Sequence, residues 1–174
     1  LFRSVLAPKT AQENEQMGVS VAIDGDVAVA GARFARIDAL ETGAAHVFVR
    51  TGTSWAEATR LLPVPPEADA WFGQSVAVDG NLVVVGAPLS DRSGFADAGA
   101  AFVFRRTGEQ WLLVRVLVAP DARTNANFGA SVRVTPVGVI AARSVIATSA
   151  GAGSAAPSTR MWPSSFQLWG TRWH

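Results

Sequence analysis

Apolar residues along this chain come in short runs broken by turn signals rather than at helical spacing. In the clearest stretch, Ser75-Val76-Ala77-Val78-Asp79 is followed by Gly80-Asn81 and then by Leu82-Val83-Val84-Val85. Asp-Gly between two apolar runs predicts a tight hairpin, because glycine accepts the positive φ that such a turn requires. The second run ends at Gly86-Ala87-Pro88, where proline removes the N–H needed to extend a ladder. A polar loop follows, then a third strand predicted over 100–105, a turn at Arg106-Thr107-Gly108, and a fourth strand over 111–118 that closes at Ala119-Pro120. In the second strand Val83, Val84 and Val85 put apolar side chains on both faces, since neighbours in a strand alternate sides. A sheet with one wet face alternates more cleanly. The pattern therefore predicts four-stranded sheets covered on both sides, with a more mixed fourth strand at the outer edge.

The unit repeats. Met17-Gly18-Val19-Ser20-Val21-Ala22-Ile23-Asp24-Gly25 aligns with Phe72-Gly73-Gln74-Ser75-Val76-Ala77-Val78-Asp79-Gly80, and Phe128-Gly129-Ala130-Ser131-Val132-Arg133-Val134 opens a third copy. Gly18 to Gly73 spans 55 residues and Gly73 to Gly129 spans 56. Gly31-Ala32-Arg33 keeps step with Gly86-Ala87-Pro88. Gly43-Ala44-Ala45-His46 keeps step with Gly99-Ala100-Ala101-Phe102, and Trp55 with Trp111. A fixed period of this length marks a repeat architecture. Arg3-Ser4-Val5-Leu6-Ala7-Pro8 matches Arg115-Val116-Leu117-Val118-Ala119-Pro120, so the chain is expected to enter on the outer strand of a blade.

These landmarks resemble the FG-GAP repeat, as found in integrin α-subunit propellers and many bacterial surface proteins. The resemblance covers residues 1–134, with Met17 in place of Phe and Arg33 in place of Pro in the first unit. It implies an all-β fold, a partial β-propeller of four-stranded antiparallel blades, about two and a half repeats long. Seven blades of this size would need on the order of 385 residues, so this chain does not close such a ring by itself. The resemblance also implies an extracellular or cell-surface module that binds a protein or glycan through loops on one face. Relatives of this kind often carry a calcium loop between the first two strands. Here Asp24-Gly25-Asp26 and Asp79-Gly80-Asn81 are tight turns, which do not supply the 6–8 oxygens calcium takes, and no metal or cofactor is expected.

Beyond Val134 the motif phase stops, and residues 135–174 are read as a degenerate or irregular tail. Ser144-Val145-Ile146-Ala147-Thr148 resembles one more strand. Residues 151–158 are Gly/Ala/Ser/Pro-rich, and Trp162, Trp169 and Trp173 follow. Two accounts fit this tail: a divergent terminal blade, or the product of a shifted reading frame.

Charge adds modest constraints. The formal net charge is +1, and charged residues make up 17% of the chain, so no basic face for nucleic acid is indicated. All 14 acidic residues lie between Glu13 and Asp121. There is no cysteine, which excludes disulfides, thiolate metal sites and a cysteine nucleophile. No apolar run reaches the ~18–20 residues of a membrane-spanning helix, and membrane insertion is not expected.

The candidate chemistry is sparse. Ser20, Asp24 and His46 contain the residue types of a triad, but His46 stands where Phe102 stands in the next unit and reads as a packed strand residue. Ser20, Ser75 and Ser131 recur once per unit, which suits a structural bond to loop backbone better than a nucleophile. The best ligand-binding candidates are Asp91, Arg92 and Asp97 in the longer loop, with Arg36, Asp38 and Glu41 in its counterpart, because long loops on rigid scaffolds tend to carry recognition. The expected role is non-catalytic binding. The alternatives are an accessory region of a larger hydrolase, for instance a phospholipase, or a truncated product with no independent function. Uncapped end blades are expected to self-associate.

Overall fold

The computed structural model describes residues 4–135 and 138–143, and within them the protein is all-β. The strands are β1 (Met17–Asp24), β2 (Val27–Ala32), β3 (Arg36–Ile37), β4 (Leu40–Glu41), β5 (Ala44–Thr51), β6 (Ser54–Leu61), β7 (Ser75–Asp79), β8 (Leu82–Ala87), β9 (Ala100–Thr107), β10 (Gln110–Leu117), β11 (Phe128–Thr135) and β12 (Gly138–Arg143). Two four-stranded antiparallel sheets run in the orders β1-β2-β5-β6 and β7-β8-β9-β10. They are the two blades expected from the repeat. A third blade is begun by the β11-β12 pair.

The tight turns form as their sequence dictates. Asp24 pairs with Val27 and Asp79 with Leu82, which leaves Gly25-Asp26 and Gly80-Asn81 as two-residue loops. Gly25 and Gly80 take φ of 54° and 55°, the region where a Cβ is disfavoured.

The second blade is covered on both faces. Val83, Val84 and Val85 are all fully buried. Val83 and Val85 face the first blade, packing with Val27, Val29, Ala45 and Val47 around Phe72. Val84 faces the other way, with Ala77, Ala101 and Val103, toward Val134 and Val139 of the third blade. Phe72 meets Phe102 and Phe104 edge-on at centroid distances of 5.2 and 6.2 Å. Burying such a ring stabilises the fold by about 1.5–3 kcal/mol.

The repeated landmarks sit at the seams between blades. Gly31 and Gly86 lie against the backbone of the next blade: a Cβ on Gly86 would fall 1.9 Å from the Gly129 carbonyl oxygen, and one on Gly31 1.9 Å from that of Gly73. The same carbonyls accept hydrogen bonds from the repeated serines, Ser20 Oγ to Gly73 O at 2.9 Å and Ser75 Oγ to Gly129 O at 2.8 Å. Ser20 and Ser75 thus bond backbone, as their recurrence suggested, and the backbone belongs to the neighbouring blade. At the opposite end of the strands the Gly80 N–H donates to Asp24 Oδ2 at 2.6 Å.

Two expectations change at the ends of the chain. No strand forms over residues 4–16, since an outer strand needs a third strand to pair with and no described strand pairs with this segment. The segment instead lies on the first blade, where Leu6 packs with Ala28, Ala30 and Phe48. At the other end the ladder continues past Val134. β12 pairs with β11 from Thr135↔Gly138 to Phe128↔Arg143 without a Gly-Ala-Pro motif, since pairing needs backbone groups and a buried face rather than a particular sequence. The strand expected at 144–148, the small-residue stretch and the three late tryptophans lie outside the described residues.

Candidate functional site

The two ends of the blades differ in kind. Register places the start of β1, the end of β2, the start of β5 and the end of β6 together, through Met17↔Ala32, Ala32↔Ala44 and Ala45↔Leu61. The second blade repeats this through Ser75↔Gly86, Ala87↔Ala100 and Leu117↔Ala101. Bridges Gly43↔Phe72 and Gly99↔Phe128 bring these ends of neighbouring blades side by side. Segments 33–43, 62–74, 88–99 and 118–127 all emerge there, whereas among the described residues the other end holds only two-residue turns.

The sequence-predicted residues lie at this long-loop end, and they are tied into it. Arg92 donates to Glu67 Oε2 at 3.0 Å and to the Asp91 carbonyl at 2.9 Å, and its guanidinium lies 5.7 Å from the Phe102 ring centre. Glu67 also accepts from Ser90 Oγ at 2.6 Å and from the Asp91 N–H. Asp91, exposed, accepts the Asp97 N–H on Oδ1 at 3.0 Å. Asp91, Arg92 and Asp97 are therefore brought together around Glu67, a residue of the preceding connector that sequence reasoning missed. Repeat phase held the signal. Gln12, 55 residues before Glu67, accepts the Arg36 N–H at 2.6 Å, and Arg36 stands 55 residues before Asp91. The counterpart loop is a β3-β4 hairpin closed by an Arg36–Glu41 ion pair at 3.4 Å.

A second cluster, also missed, lies at the seam between the first two blades at the same end. Arg33 stacks over Phe34 at 4.7 Å and Trp71 at 4.8 Å, and those rings meet edge-on at 6.0 Å. Arg33 Nε donates to Gln16 Oε1 at 2.9 Å and Nη1 to Gln74 Oε1 at 3.0 Å. Arg33, Phe34, Trp71 and Gln74 are half-buried. The other units do not repeat this cluster: Pro88 and Leu89 stand at the places of Arg33 and Phe34, Asn127 at that of Trp71, and Ala130 at that of Gln74.

The backbone makes Trp71 more unusual. The residue before each Phe-Gly or Met-Gly adopts left-handed φ: 53° at Gln16, 55° at Trp71, 52° at Asn127. Asn tolerates this region, but a bulky aromatic side chain there is an outlier, at a cost of about 1–2 kcal/mol.

His46 is wholly buried and is more than a packed ring. Its Nδ1 donates to Glu57 Oε1 at 2.7 Å, and its Nε2 lies 3.8 Å from Glu15 Oε2. Both carboxylates are buried. Burial pushes the Glu57 carboxyl up, but the Lys9 backbone N–H and the His46 ring outweigh it and hold Glu57 below the usual glutamate range. This group joins the 4–16 segment to β5 and β6. It does not assemble with Ser20 or Asp24, which bond Gly73 and Gly80 respectively.

A family model described as the FG-GAP repeat matches residues 3–48 and 55–104. No curated protein matches the chain.

Proposed function

The chain belongs to the FG-GAP repeat family, and from that premise we propose that it is a non-catalytic binding module of an extracytoplasmic protein, offering the long-loop end of its blades to a protein or glycan ligand. The observation that carries this reading is the asymmetry of the two ends. Every long segment among the described residues emerges at one end, on a scaffold whose blades are locked by stacking on their neighbours. Loops fixed on a rigid frame supply recognition at little ordering cost. Asp91, Arg92 and Asp97 belong to the proposed contact surface, held in place by Glu67.

The test is to screen the full chain on glycan and peptide arrays beside two variants. In one, loop 88–99 is shortened to Gly-Ser; in the other, Gly80-Asn81 is replaced by Asn-Gly. Binding lost in the first and kept in the second is the expected result. Equal binding by all three, or loss confined to the turn variant, overturns the proposal.

A further inference from the structure

We infer that Arg33, Phe34 and Trp71 form a docking site for a carboxylate presented by an acidic segment of a protein partner; this rests on reading the long-loop end as the ligand-binding end. Three observations converge on it. The first is charge. The neighbouring arginines of this end, Arg36 and Arg92, pair with Glu41 and Glu67. Arg33 pairs with no carboxylate among the described residues; its partners are two glutamine oxygens and two aromatic faces. Of the five N–H groups of a guanidinium, two are used, and both on Nη2 remain. A planar guanidinium held by stacking is pre-set for a carboxylate, because little side-chain freedom is left to lose on binding.

The second observation is backbone strain. The architecture imposes a left-handed residue before each Phe-Gly or Met-Gly, and only this seam fills that place with tryptophan. A bulky aromatic held in that strained conformation at one copy, where Gln and Asn serve in the others, points to use of the side chain. The third is departure from the repeat. Arg33, Phe34, Trp71 and Gln74 all differ from their counterparts one unit later, and the differences converge on one patch. Arg and Trp are the residues that most often dominate protein–protein contacts.

The decisive experiment uses the full chain on an array of decapeptides, each carrying one Asp or Glu beside an apolar residue, with an Asn or Gln twin for every acid. Wild type is expected to bind a subset of the acidic peptides at least tenfold more tightly than their amide twins, and more weakly as salt rises. Arg33→Pro and Trp71→Asn place the other units' own residues at these positions; each is expected to lower that binding at least tenfold, with the melting temperature kept within a few degrees. Arg33→Lys keeps the charge but not the stacked fork, and is expected to lose at least fivefold. No preference for acid over amide, unchanged binding in Arg33→Pro and Trp71→Asn, or binding of uronic-acid oligosaccharides alone overturns the inference. Peptide or glycan binding that persists in Arg33→Pro but vanishes when loop 88–99 is shortened also overturns it, while leaving the binding role of the module intact.

Discussion

His46 occupies a place that the next unit fills with Phe102, and the substitution is matched by two others that share its burial. Glu57 replaces Leu113, and Glu15 comes from the N-terminal segment. An acid and an imidazole on neighbouring strands satisfy each other where one alone would be left unpaired. Because the folded Glu57 pKa lies below its unfolded value, its contribution to stability is present above the usual glutamate range and is lost as pH falls through the lowered value. Melting temperature measured from pH 6 down to pH 3 is therefore expected to fall less steeply in Glu57→Gln than in wild type. Parallel slopes would show that this carboxylate does not carry acid sensitivity.

Between elements, the seams carry the specificity of stacking. Val and Phe side chains supply attraction without direction, whereas the Gly86–Gly129 approach and the Ser75 hydroxyl fix how the third blade sits on the second. Gly86→Ala inserts a methyl group where a carbonyl oxygen already lies. It is expected to destabilise the chain by about 1–3 kcal/mol or more, with hydrogen exchange rising first in β11 and β12. Ser75→Ala removes one hydrogen bond and should cost about 1 kcal/mol. A Gly86→Ala protein that melts like wild type would mean that the seam is not tight.

For the whole molecule, the same repeat position behaves differently according to its neighbour. Val76 is 9% exposed because the first blade covers it, while its counterpart Val21 is 71% exposed and Ile23 is 67% exposed. The 4–16 segment shields Ala28, Ala30 and Phe48 but leaves this edge of β1 open. Exposed apolar surface that the repeat normally buries favours association. Sedimentation velocity is expected to show concentration-dependent oligomers, reduced in a Val21→Lys/Ile23→Lys double variant. A wild-type monomer at all concentrations would count against it.

The strand order and the blade stacking were legible in the residues, because period-2 alternation, Asp-Gly turns and a 55-residue rhythm are local or additive signals that survive translation into structure unchanged. Residues 75–79 were read as a strand, and β7 has those limits. The loop residues Asp91, Arg92 and Asp97 were also visible, as charge in a long segment. Their link to Glu67, the stack of Arg33 on Trp71 and the two carboxylates around His46 were decided only by the tertiary structure. Each joins residues from different segments of the chain, often from different units, and a single sequence does not encode which side chains meet across a seam until the packing of one sheet on the next has set the distance.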